Sequence, residues 1–373
     1  MIDRLTMRRS VFATLAATAL LSTVACESST APASTLDTKA ALADYRAMDS
    51  VFASDAWAAF RALGGRSPLS ADNAVAAIST LPAFSPGAAS AQSATMSTRA
   101  FALDVMRRLS TAGGDESALR ETVISSAHRG KTFTYDAASD QYVVNTTRTG
   151  APANGTRFAL YEVGANGKPI VAQEIGYADL LDEGVTTDAA VALHLLTVVR
   201  GRTSLDYRLR VVPQGTGGTI DVSGFVLGEQ GERLEFTIGV VGTTTAGTST
   251  VSVEFDLGMA QREFEVWGNV RGADGSDDGT VELSARHGDH TLRVDMEGAA
   301  GTLDGTIDLD GTRFVTVTGS KANPTLRNAL DQPLSGAELL LMLEIVDATD
   351  DVFDLVQDLL KPVDNLLVLG WIL

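Results

Sequence analysis

Chemistry in this chain would have to come from a small set of residues. Asp274-Gly275-Ser276-Asp277-Asp278-Gly279 puts oxygen donors at the first, third and fifth positions and Gly at the sixth. That order opens a calcium-binding loop. The twelfth position, where such a loop needs a bidentate Glu, is Ala285, and the residues beyond Gly279 alternate as a strand. Asp274, Asp277 and Asp278 therefore read first as a polar hairpin turn and only second as a weak calcium site. His287 and His290 flank Gly288-Asp289. A two-residue hairpin would set the imidazoles opposite each other, near Asp289. Two His and one carboxylate form a partial ligand set, so no metal is expected there. His194 lies in an almost wholly apolar run and reads as a hydrogen-bonded core residue. His128 has no visible partner.

Carboxylates are more numerous than any catalytic scheme requires. Glu235, Glu254, Asp256, Glu263, Glu265, Glu282, Asp295 and Glu297 interleave with Arg208, Arg210, Arg233, Arg262, Arg286 and Arg293. A glycosidase needs two acids in one cleft at a controlled separation, and no pair stands out here. Cross-strand ion pairs on a wet face account for them, and such charges discourage edge-to-edge aggregation. The chain holds no G-x-S-x-G, no H-E-x-x-H, no phosphate loop and no dinucleotide fingerprint. No enzyme activity and no cofactor are expected, with a hydrolase of unidentified site as the remote alternative. Trp57, Trp267 and Trp371 are scattered, and Trp267 falls on the polar side of its strand, as a rim residue or an exposed contact.

Bulk charge narrows the partners. Lys and Arg number 29 against 47 Asp and Glu, a net charge of −18 over 373 residues. An acidic surface repels a phosphate backbone, so nucleic acid is a poor partner. A single Cys excludes an internal disulfide framework.

That Cys sits in the strongest local signal. Arg4, Arg8 and Arg9 form a positive segment, and Val11 to Val24 is apolar except for small hydroxyl residues. Its length suits a signal-peptide core and is short for a membrane span. It ends in Ser22-Thr23-Val24-Ala25-Cys26, and Glu27-Ser28-Ser29-Thr30 turns polar. The segment resembles a bacterial lipoprotein precursor, in which a small residue precedes a Cys that is lipidated and becomes the mature N-terminus. Ala25 and Cys26 match; Thr23 stands where Leu is usual. Thr23-Val24-Ala25 also resembles an ordinary A-x-A cleavage site, which would release a soluble protein. The resemblance to lipoproteins implies an acyl anchor on Cys26 and a place in the cell envelope, facing periplasm or surface. Glu27 rather than Asp after the Cys leans toward the outer membrane. Arg8-Arg9-Ser10-Val11-Phe12 also resembles a twin-arginine motif. Loss of residues 1–25 removes Asp3 and three Arg, leaving 26 basic against 46 acidic residues, or −20. Membrane affinity would then rest on the acyl chains, not on charge.

The remaining chain divides by periodicity. Residues 26–37 read as a Ser/Thr/Pro tether. Residues 38–128 form a helical segment: one helix over 38–63, a short one after Ser70, another over 97–109, with 115–128 ambiguous. From 129 to 320 the period becomes two. Leu205-Tyr207-Leu209-Val211, Leu234-Phe236-Ile238-Val240, Val251-Val253-Phe255-Leu257, Val281-Leu283-Ala285 and Leu292-Val294-Met296 each alternate with polar residues. Short turns such as Gly288-Asp289 and Asp310-Gly311 separate about twelve to fourteen strands and permit only antiparallel neighbours. Residues 333–373 return to helix. Ser335-Gly336-Ala337-Glu338 is a capping box, Thr349 caps a second helix, and Pro362 kinks or ends it.

A dozen strands present one apolar face that must be covered. The expected fold is α+β and β-dominated: a large curved antiparallel meander, an open half-barrel, covered by N-terminal and C-terminal helices. Residues 38–373 would be one domain. This architecture is similar to the lipoprotein carriers of the LolA and LolB type, shared by some mycobacterial lipoproteins. An outer-membrane barrel fits poorly, because aromatic residues make up only 6% of the chain and girdles are missing. The expected function is the binding or carriage of an apolar small molecule or lipid between sheet and helices. A structural or adhesion role toward a protein partner is the alternative.

Overall fold

The computed structural model describes residues 47–48, 50–64, 124–184, 191–214, 217–245, 248–273, 276 and 278–371. The signal segment, Cys26, the tether, the helices expected after Ser70 and over 97–109, Asp274 and Asp277 lie outside the described residues. Helix α1 (Asp55–Gly64) comes first. It is followed by β1 (Thr132–Asp136), β2 (Gln141–Val144), β3 (Gly155–Val163), β4 (Pro169–Asp182) and β5 (Val191–Val199). Next come β6 (Arg202–Gln214), β7 (Gly217–Leu227), β8 (Arg233–Thr245), β9 (Thr248–Met259) and β10 (Phe264–Ala273). The last strands are β11 (Gly279–His287), β12 (His290–Ala299), β13 (Thr302–Leu309), β14 (Thr312–Ser320) and β15 (Asn323–Asn328), before helix α2 (Gly336–Trp371).

All fifteen strands form one sheet in the order β15 through β3, then β1 and β2. The expected α+β, β-dominated meander is therefore present. From β3 onward every pair is antiparallel; the exception is β1, which lies parallel to β3 and antiparallel to β2. Tight turns set the register. Arg200-Gly201, Ala300-Gly301 and Asp310-Gly311 each have two positive φ angles, as the favoured two-residue hairpin requires.

The register aligns the core residues in a line across the strands. Leu193, Leu209, Val222, Ile238, Phe255, Gly268, Leu283, Val294, Ile307 and Val315 are successive partners from β5 to β14. Every side chain in this row is buried. At Gly268 an added Cβ would stand 2.2 Å from Cζ of Phe255, whose ring fills that place. The same ring meets Phe353 of α2 edge-on at 5.7 Å.

Helix α2 crosses the strands as a rib. Its start is tied to β15, where the Asn328 amide donates to Glu338 at 3.3 Å. Its middle lies on β9 through Phe353, and Tyr207 of β6 donates its hydroxyl to the Leu359 carbonyl at 2.8 Å. From Glu338 to Phe353 is about 22 Å of helix, against about 29 Å of sheet from β15 to β9. The shorter inner path places the helix inside a curved sheet. Helix α1 covers the other end through Trp57, Phe60 and Leu63, packing on β3 to β6.

Besides the parallel β1–β3 pair, which β2 and the loop before Gly155 make possible by separating the two strands in sequence, four expectations change. The sheet has fifteen strands and extends past residue 320 to β15, whose Pro324 suits an edge strand because the proline lacks a ladder donor. The helix expected over 38–63 breaks at Phe52–Ser54, and the Ser54 hydroxyl accepts the Trp57 N–H at 3.3 Å to start α1. The ambiguous stretch ends in turns after Ile124. The C-terminal region is one helix of 36 residues, not two. Thr349 does not cap a second helix, because its hydroxyl bonds back to the Ile345 carbonyl at 2.8 Å. Pro362 lies inside the helix, which costs one intrahelical bond without ending it.

Candidate functional site

The two sheet faces offer different chemistry. On the inner face, coverage narrows toward the C-terminal strands. In β8 to β10 the residues on both sides of the central row are buried: Phe236, Val240, Leu257, Val253, Val266 and Val270. In β11 and β12 only Leu283 and Val294 of the row are buried, while Val281, Ala285, Leu292 and Met296 are half-buried. Leu303 of β13 and Leu326 of β15 are half-buried as well. The cause is geometric. A single helix is about 10 Å wide, whereas strands of nine or ten residues run about 30 Å. The rib covers the middle of these strands and leaves an apolar strip on each side.

The outer face carries a trough of about 740 Å³ over β6 to β11. Asp206 and Arg208 of β6, Phe225 of β7, Glu235 of β8, Asp256 and Gly258 of β9, Glu265 of β10 and Arg286 of β11 line it. Most of its charges are paired. Arg286 donates to Glu265 at 2.6 Å, and Arg233 lies 3.0 Å from Glu235 with its guanidinium 3.9 Å over the Phe225 ring. Arg208 stands 3.3 Å from Glu183 and 3.7 Å from Asp206. Asp256 forms no ion pair among the described residues. Burial, and secondly the Glu265 carboxylate, push its pKa above the usual carboxylate range. Trp267, its register partner on β10, is half-buried on the polar side and donates its indole N–H to Glu254 at 3.3 Å.

The residues singled out by sequence fall as follows. His287 and His290 are opposite each other, as the hairpin predicts. Their side chains diverge: His290 pairs with Asp310 at 3.0 Å, and His287 lies against Phe264 with ring centres 6.4 Å apart. Asp278 accepts the Ala300 N–H at 2.8 Å and meets Lys321 at 3.2 Å, which tie it to neighbouring turns. Ala285, at the twelfth position of the calcium-loop pattern, lies within β11. Among the described residues no group of three His, Cys, Asp or Glu side chains could hold a metal ion. His194 is hydrogen-bonded but is not in the core. It projects from the outer face of β5, bonds Asp206 at 2.9 Å and stands 3.5 Å from Glu183. Alternation explains the placement, since Val191, Leu193 and Leu195 take the inner face. His128 packs beside Phe133, and burial lowers its pKa.

Cross-strand ion pairs are present at Arg157–Asp179, Arg313–Asp308 and Arg286–Glu265, whereas Arg233–Glu235 and Arg293–Asp295 pair along one strand, and Arg148 reaches Glu174 from the loop after β2. The grouping of Asp206, Asp256 and Glu265 is not apparent from the sequence, because three strands contribute them. The only available signal was register, counted outward from each short turn.

Among the described residues no helix is long and apolar enough to cross a membrane. Comparison with protein-family models, characterised proteins and solved structures finds no match for this chain.

Proposed function

We propose that this chain is an exported protein, lipid-anchored through Cys26, that binds an apolar small molecule or lipid on the inner sheet face beside α2. The half-covered apolar strips of β11 to β15 carry this reading. An acyl chain laid along a strip would bury its methylenes against Leu292 or Met296, at about 0.8 kcal/mol per CH₂. The helix forms one wall and the sheet the floor, so the ligand needs no closed cavity. The lipobox-like Ala25-Cys26 and the apolar core before it support the anchor.

The test is native mass spectrometry of the purified protein, followed by titration of the delipidated protein with a fluorescent fatty acid. A co-purifying amphiphile and saturable binding that falls at least tenfold in Leu292→Asp and Met296→Asp support the reading. Binding that is absent or unchanged by both substitutions overturns it. The anchor is tested separately by Cys26→Ser with detergent partition. A variant that stays in the membrane fraction, or a wild-type peptide beginning at unmodified Cys26, refutes lipidation.

A second reading rests on Leu330, Leu340 and Leu343, which are 57%, 66% and 39% exposed near the start of α2. They suit a protein partner in a structural or adhesion role. Loss of a cross-linked partner in Leu340→Glu would favour it over ligand carriage.

A further inference from the structure

The chain contains two Asn-Gly pairs, one at each end of β3. In such a pair no Cβ shields the backbone nitrogen that follows the Asn side-chain amide. The structure holds the two differently. Asn154 is clamped: its side-chain amide donates to the Asp182 carbonyl at 3.0 Å, and its own carbonyl accepts the Asp182 N–H at 2.9 Å. Gly155 is buried, and an added Cβ there would stand 2.2 Å from the Leu180 carbonyl oxygen. Asn166 and Gly167 are both exposed in the β3–β4 turn, with Gly167 at φ +74°. Asn166 Oδ1 accepts the Lys168 N–H at 3.1 Å, and Nδ2 makes no hydrogen bond among the described residues.

We propose that Asn166 is a site of spontaneous deamidation, whereas the fold keeps Asn154 intact. The Gly167 backbone nitrogen gives its proton to water and bonds to Cγ of Asn166. Negative charge moves onto Oδ1, where the Lys168 N–H already donates. The Cγ–Nδ2 bond then breaks, and Nδ2 takes a proton from solvent and leaves as ammonia. One water adds to either carbonyl of the resulting succinimide and gives aspartate or isoaspartate. No oxidant or reductant takes part. Ring closure at Asn166 gives up one exposed turn bond, from the Gly167 N–H to the Gly164 carbonyl at 2.9 Å. Closure at Asn154 would give up the Nδ2 bond to Asp182 and the Gly155 N–H bond to the Pro152 carbonyl at 3.1 Å, and would shift the carbonyl that Asp182 holds. Either product at Asn166 adds a negative charge beside Lys168, which pairs with Asp140 at 2.7 Å.

The full-length protein is aged at mildly alkaline pH in buffer and in urea, and both amides are followed by peptide mapping with mass spectrometry. In urea the two should convert at similar rates. In buffer Asn166 should convert at least tenfold faster than Asn154, and more slowly at mildly acidic pH, because the attacking nitrogen must lose its proton. Aged protein should gain an acidic species on anion exchange that comigrates with Asn166→Asp and does not form in Asn166→Gln. Equal rates at the two sites in buffer overturn the proposal, as does an Asn166 slowed tenfold or more relative to urea. Persistence of that acidic species in Asn166→Gln also overturns it. The anchor and the apolar ligand concern other parts of the chain, so either result leaves those tests interpretable.

Discussion

At the scale of single residues, the buried carboxylate of Asp182 shows how a polar group is kept inside this core. It accepts the Ile124 N–H at 3.3 Å and the Gly184 N–H at 2.9 Å, and it pairs with Arg129 at 3.2 Å. Asp182→Ala would leave those donors without a partner, so urea unfolding should show a loss of about 2 to 3 kcal/mol. Asp256 behaves in the opposite sense. The folded state raises its pKa, so folding favours the protonated form. Wild-type stability is therefore lost as pH rises through that raised pKa. The groups facing it are Glu254, Glu265 and Trp267, with Arg286 engaged by Glu265. Asp256→Asn should raise the thermal midpoint at neutral pH, and the gain should shrink as pH falls below the raised pKa. A midpoint difference that grows on acidification would contradict this. The sequence places Asp256, with Glu254 and Glu265, on the wet face and does not single out Asp182. It could not show which acid lacked a partner, because that depends on side-chain reach between strands.

At the scale of elements, the start of α2 was legible and its length was not. The Ser335 N–H donates to Glu338 at 2.6 Å and the Glu338 N–H to the Ser335 hydroxyl at 3.3 Å, which completes the expected capping box. Burial pushes the Glu338 carboxyl up, but the bonds from Ser335 and Asn328 outweigh it and hold the pKa below the usual range. Ser335→Ala should cost about 1 kcal/mol by chemical denaturation at neutral pH. That cost should diminish at low pH, where Glu338 is protonated and its half of the box is already lost. Thr349 and Pro362 misled because both are local break signals, whereas the decisive term is tertiary. Met342 and Ile345 before Thr349, and Val352, Phe353, Val356, Leu359 and Leu360 between Thr349 and Pro362, are buried in one continuous core. The strands were read well because alternation is enforced by one buried face. β15 escaped notice because Asn323–Asn328 is an edge strand with little apolar content.

At the scale of the molecule, the fold class was legible because one unpaired apolar face on many short-turned strands leaves few arrangements. That the terminal helices cover the apolar face of a curved sheet was legible for the same reason; which strands each helix crosses was not, since that depends on side-chain packing between distant segments. Protection should follow coverage. Amide hydrogen exchange should be slowest in β6 to β10, beneath α2 and with neighbours on both sides. It should be faster by at least tenfold in β14, β15, β1 and β2, at the two open edges. Uniform protection across all fifteen strands would show that the edges are covered by something else.

Helix α2 also acts as a ruler. Between its ties at Glu338 and Leu359 it runs about 32 Å and passes nine strand spacings, from β15 to β6, which span about 43 Å of sheet. Because strands from β3 to β15 pair with their sequence neighbours, gain or loss of a hairpin would change the sheet's width without rerouting the chain. The rod sets the permitted width. A narrower sheet would leave an apolar helical end overhanging water, and a wider one would leave strands beyond its reach. Hairpin number and helix length can therefore change in this architecture only together.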